Sequence, residues 1–140
     1  MIAQVQVAGV LREAVRAPYT NLVTRATGAL VRGHIEATLA GHGAVRVTVL
    51  DFSEIALLDC SCADEIVAKL AFDPEGGCVR HVVLRGLRED QREAIEHVLV
   101  RRGAVVTALD GLDVESVGPL PEDARLLLVT ALRVTGEACA

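Results

Sequence analysis

Apolar residues change their period several times along the chain, and each change marks an expected element. Residues 2–11 alternate imperfectly, with Val5 and Val7 on one face and Gln4 and Gln6 on the other. That spacing predicts a first strand, and its polar half suits a sheet edge. Residues 12–18 read as a connection, because Pro18 keeps Ala17 out of the helical region. Thr20 or Asn21 then serves as the cap of a helix reaching about residue 40. Val23, Thr27, Leu30, Val31, Ile35 and Leu39 recur at three- and four-residue steps, and Arg25, Arg32 and Glu36 take its other faces. Gly28 and Gly33 each cost roughly 1 kcal/mol against alanine inside a helix, so both are expected at close contacts. Gly41 is expected to end the helix in the left-handed conformation.

Val45, Val47, Val49 and Leu50 read as a buried strand. Asp51, Ser53 and Glu54 stop it, since short polar side chains bond their own backbone in turns. Asp59-Cys60-Ser61-Cys62-Ala63-Asp64 follows, and Ile66, Val67 and Leu70 then have helical spacing. Ser61 with Asp64 three residues on resembles a capping box. Residues 73–77 are a loop by composition, and 79–84 are a third strand. Residues 89–102 form a helix, with Glu89, Asp90 and Glu93 early and Arg101 and Arg102 late, matching its dipole. Ile95, Val98 and Leu99 are its buried stripe, and Gly103 ends it. Residues 104–109 are a fourth short strand and 111–121 a loop. Pro121 suits the first turn of a final helix over about 122–135. Strands alternating with helices from 45 to 109 predict an α/β domain whose sheet is largely parallel.

Composition narrows the class. A chain of 140 residues is one domain with its own core. It is 51% hydrophobic, yet no apolar run approaches the ~20 residues that span a bilayer. The start lacks the basic segment of a signal peptide, so a cytoplasmic location without a membrane is expected. A net charge of −5 and only three aromatic residues, Tyr19, Phe52 and Phe72, argue against a nucleic-acid partner. Cys60, Cys62, Cys78 and Cys139 suit a reduced compartment.

Several candidate chemistries sit around the second helix start. Cys60 and Cys62 stand where a helix terminus lowers a thiol pKa, although free cysteines are usually buried small hydrophobes. Cys60, Cys62, Cys78 and His81 have metal-ligand types but not the usual finger spacing. Asp51, Asp59 and Asp64 admit an acid–base or metal reading, but carboxylates at such places are more often caps. His34, His42, His81 and His97 are scattered, and no phosphate-binding glycine loop is present. No cofactor and no metal are expected.

Asp51-Phe52-Ser53 and Asp59-Cys60-Ser61-Cys62-Ala63-Asp64-Glu65 resemble the motifs of the STAS fold, the domain of bacterial anti-sigma factor antagonists. Asp59 matches that family's aspartate and Ser61 its second hydroxyl residue. Cys60 stands where the phosphorylated serine or threonine would be, and Cys62 where the glycine would be. The chain looks closer still to the STAS-like family of unknown function, through Asp51-Phe52-Ser53, Ser61-Cys62-Ala63-Asp64-Glu65 and the earlier Arg25, Thr27 and Gly28. The likeness covers roughly residues 20–109. It implies a four-stranded, mixed but largely parallel sheet with helices mainly on one face. It also implies a non-enzymatic domain in bacterial signalling that binds a protein, such as an ATP-binding switch kinase or a sigma regulator. The contact would centre on Asp59, Cys60, Ser61, Cys62 and Asp64, with Asp51 and Ser53 nearby. Ser61 is the remaining candidate phosphate acceptor, since a phosphate there would add about −1.5 to −2 charge. The rival readings are a thiol-based redox sensor using Cys60 and Cys62, and a small-ligand domain using the strand ends. The apolar fraction also permits a homodimer.

Overall fold

The computed structural model describes residues 2–41, 47–71, 81–111 and 113–119. Strands β1 (Ile2–Gln6), β3 (Val47–Asp51), β5 (His81–Arg85), β6 (Val106–Asp110) and β7 (Asp113–Val117) form one sheet in the order β1-β3-β5-β6-β7. The first four run parallel, and β7 pairs antiparallel with β6. β2 (Asn21–Leu22) and β4 (Leu57–Leu58) make a separate parallel ribbon. The helices are α1 (Val7–Val15), α2 (Arg25–Ala40), α3 over 60–71 and α4 (Glu89–Arg102). Within α3, an α-helical Cys60–Ala63 passes through a π-helical Asp64–Ala68 and returns to α-helix at Lys69–Ala71.

Side-chain alternation fixes which face is sealed. Val5, Leu50, Leu84 and Ala108 stand in one row across the sheet, and all are buried. Glu115 continues that row on β7 and pairs with Arg92 of α4, so α4 lies over this face. α1, α2, α3 and α4 touch in that order and form the covering layer. The next row, Gln4, Val49, Val83 and Thr107, is half-buried or exposed.

β1 is an edge strand, as its polar half suggests, but it is shorter than expected. Val7, Ala8 and Leu11 follow helical spacing and are buried, and the Gln6 side chain accepts from the Ala8 amide. Helical burial thus overrides the alternation that Val5 and Val7 shared, and residues expected to form strand and connection fold as α1. It ends at Arg16 with φ 55°, just before Pro18. α2 starts later than expected, because Asn21 and Leu22 pair with Leu57 and Leu58. Thr24 is its cap, with the hydroxyl accepting from the Thr27 amide at 3.3 Å. Gly41 ends α2 in the right-handed region rather than the left-handed one. Gly103 has the expected left-handed φ of 66°.

α4 has the expected bounds and buried stripe. The sheet has five strands where four were expected: 113–117 was read as loop, yet its backbone completes the edge of β6. The loop expected at 73–77 and the helix expected over 122–135 lie outside the described residues, as do Cys78 and Cys139. No helix among the described residues is long and apolar enough to cross a membrane.

Candidate functional site

The β2–β4 ribbon delivers the chain to the start of α3. Ala56 donates to the Thr20 carbonyl and Asp59 to the Leu22 carbonyl, so two loops are stitched together beside this helix. Alternation turns Leu22 and Leu58 inward, where they are buried. It leaves Leu57 and Val23 outward at 45% and 41% exposure, next to exposed Asp59. Tyr19, also exposed, lies just before the ribbon.

Asp59 is the N-cap residue of α3, but its side chain accepts no backbone N–H. The Ser61 hydroxyl faces two acceptors, the Val23 carbonyl at 3.1 Å and the Asp59 carboxylate at 2.9 Å. The expected capping box is therefore absent. Ser61 is one position inside the helix, and Asp64 is held elsewhere. The half-buried Ser61 hydroxyl instead fastens α3 to the segment before α2. Cys60 is also half-buried. Cys62 is buried, its thiol donates to the Thr24 carbonyl at 3.0 Å, and burial pushes its pKa up to about 11. A buried thiol held in this way carries little thiolate at neutral pH, which does not favour the redox reading at Cys62.

One turn further, the π-helical segment turns two consecutive carboxylates into the protein. Asp64 accepts from two nitrogens of Arg102 and from Arg25, at 2.9 Å for Arg25 Nη1 and Arg102 Nη2. The hydrogen bonds from Arg102, with Arg25 adding to them, hold its pKa near 2 against the opposing effect of burial. Glu65 pairs with Lys69 at 2.7 Å, Arg25 at 2.8 Å and Arg32 at 3.4 Å. Burial pushes Glu65 up, but Lys69 and Arg25 outweigh it and the net shift is downward. Both arginines that face Asp64 are correspondingly raised by its hydrogen bonds. Arg25 thus links α2 to α3, and Arg102 links α4 to α3.

Gly28 shows how closely these helices meet. A Cβ there would lie 3.0 Å from the Cys62 Cα and 3.1 Å from the Glu65 Cβ. Close contact accounts for Gly28 as expected. It does not account for Gly33, which has open space around it.

Of the residues expected to form one surface, Cys60, Ser61, Asp64, Asp51 and Ser53 divide between two cavities, and Asp59 and Cys62 line neither of these. Cys60, Ser61 and Asp64 line one of about 340 Å³ with His97 and Arg101 of α4. Asp51 and Ser53 line another of about 430 Å³, at the carboxyl ends of the parallel strands, with Arg85 and Asp110. There Asp51 accepts from the Ser53 amide at 2.9 Å and lies 3.7 Å from Arg85. Among the described residues no three His, Cys, Asp or Glu side chains gather as a metal would require. His81 sits exposed at the first position of β5.

Arg25, Glu65, Lys69, His97, Arg101 and Arg102 were not singled out as site residues from sequence. The Glu65–Lys69 spacing of four was the one local signal for this network. Arg102 pairs across 38 positions, which no local pattern reveals. No family model matches the chain, and neither the curated proteins nor the solved structures yield a match.

Proposed function

We propose that the chain is a non-enzymatic protein-interaction domain of STAS-like type, similar to an anti-sigma factor antagonist in bacterial signalling, that docks a protein partner through the start of α3. The observation that carries this reading is the exposure of Leu57, and of Val23 and Asp59 just past the ends of the two ribbon strands, where backbone hydrogen bonds hold the segment. Exposed apolar side chains rimmed by polar groups are the composition of a contact surface. The order of motifs from Arg25 to Glu65 supports the STAS-like assignment, and an ATP-binding switch kinase or a sigma regulator is the class of partner it suggests. The cytoplasm is the compartment that fits this role. Asp59, Cys60 and Ser61 form the contact, while Asp64 and Cys62 hold it from below. A phosphate on Ser61 would break both of its hydrogen bonds and place like charge beside Asp59, expelling a bound partner.

The test is titration of a purified kinase or sigma regulator of that class with the wild-type chain, Leu57→Asp and Ser61→Asp. Binding is expected to weaken at least about tenfold in each variant, with the melting temperature of Leu57→Asp close to wild type. Equal binding by all three proteins would remove this surface from the account.

A further inference from the structure

The net charge of the chain is −5, yet three arginines and a histidine converge on one cavity. Arg25, Arg101, Arg102 and His97 line it with a single carboxylate, Asp64. We propose that this cavity, between the start of α3 and the last turns of α4, binds the phosphate group of a phosphate monoester.

Asp64 does not satisfy the cationic lining. A guanidinium carries five N–H donors in a fixed fork. Among the described residues Arg25 donates to carboxylates only through Nη1, and Arg102 only through Nε and Nη2. Arg101 is exposed and has no ion-pair partner among the described residues. The bland account of Arg101 and Arg102 is complementarity to the dipole of α4. That account does not require either to face a cavity, whereas both line this one.

A second, independent feature meets the same space. Cys60 and Ser61 open α3, whose N-cap side chain bonds no backbone amide, so the first-turn N–H groups lack a carboxylate cap. A helix start of this kind favours an anion. The helix runs without a break over 60–71 and carries its dipole to this end. Arginine forks beside a helix start suit an oxyanion with three acceptor oxygens and nearly two charges better than a two-oxygen carboxylate. The volume, about 340 Å³, exceeds what phosphate alone fills, and Val98 supplies an apolar wall for the ester remainder. The cavity shares Cys60 and Ser61 with the proposed docking surface, so its binding of a monoester is read with no protein partner present, and failure of either proposal leaves the other testable.

The experiment is an NMR titration of the full chain with phenyl phosphate and with inorganic phosphate at constant ionic strength. Saturable shifts are expected at the Cys60, Ser61 and Cys62 amides. Arg101→Ala is expected to weaken binding by about tenfold or more, and Arg101→Lys by less, because lysine keeps the charge but not the fork. Both variants are expected to melt like wild type, since Arg101 is exposed. A sugar phosphate binding more tightly than a phosphoserine peptide assigns the group to a metabolite, and the reverse order assigns it to a modified side chain. Shifts that do not saturate, that chloride reproduces, or that persist unchanged in Arg101→Ala overturn the proposal. So does binding of inorganic phosphate without binding of any monoester.

Discussion

The first two turns of α3 carry similar residues to opposite ends. Asp59 is exposed and Ser61 half-buried, with a hydroxyl–carboxylate contact that water competes for. Asp64 and Glu65 are buried and share four basic partners from α2, α3 and α4. The difference is the environment, not the side chain. A carboxylate near water contributes little to stability and remains free for a partner, whereas one turned inward must be paired and then fixes the geometry of three helices. The inner pair thus holds the outer tip in place.

The largest way to break that contrast is Glu65→Gln. It removes the buried charge that Lys69, Arg25 and Arg32 share, and urea unfolding should show a loss of about 2–3 kcal/mol. Asp59→Ala, only six positions earlier, should change stability by less than about 0.5 kcal/mol. Similar losses in both variants would erase the distinction. Gly28→Ala comes next. Its methyl group would press on the Cys62 backbone, and overpacking should cost about 1–3 kcal/mol despite the gain in helix propensity.

Acid provides a third probe. The pKa of Asp64 is depressed in the folded chain, so its contribution is complete above the ordinary carboxylate range and is lost as pH falls from about 4 to about 2. After allowance for its partly exposed arginine partners, this amounts to about 1–2 kcal/mol. Glu65 acts in the same direction. Unfolding measured against pH should steepen over that range in wild type and flatten in Asp64→Asn. The smallest effect sharpens the picture of α2. Gly33→Ala meets nothing within 4 Å and should stabilise by about 0.5–1 kcal/mol, the opposite sign to Gly28→Ala.

Local rules read some regions of this chain well and others poorly. α4 was legible because its acids, apolar stripe, arginines and Gly103 all point the same way. β3 and the helix beginning near Ser61 were legible for a similar reason. α1 was misread because Val5 and Val7 alternate as a strand would, while Val7 also lies four residues from Leu11, and burial of Val7, Ala8 and Leu11 decides for the helix. β7 was missed because Asp113, Glu115 and Ser116 make a polar segment that becomes a strand through pairing with β6. The helix start near Ser61 was legible from sequence, and the ion pairs beneath it were not. Arg25 and Arg102 meet Asp64 from 39 and 38 positions away, and the π-helical turn that orients Asp64 and Glu65 has no local signature.

Thiol labelling tests most directly the claim that α3 turns from surface to interior within its first turn. Native protein would be treated with an alkylating reagent, and tandem mass spectrometry would place the label on Cys60 or on Cys62. Cys60 should react while Cys62, buried and held high by that burial, should remain unmodified until the chain unfolds. Equal rates at the two positions, or faster labelling of Cys62, would contradict the account.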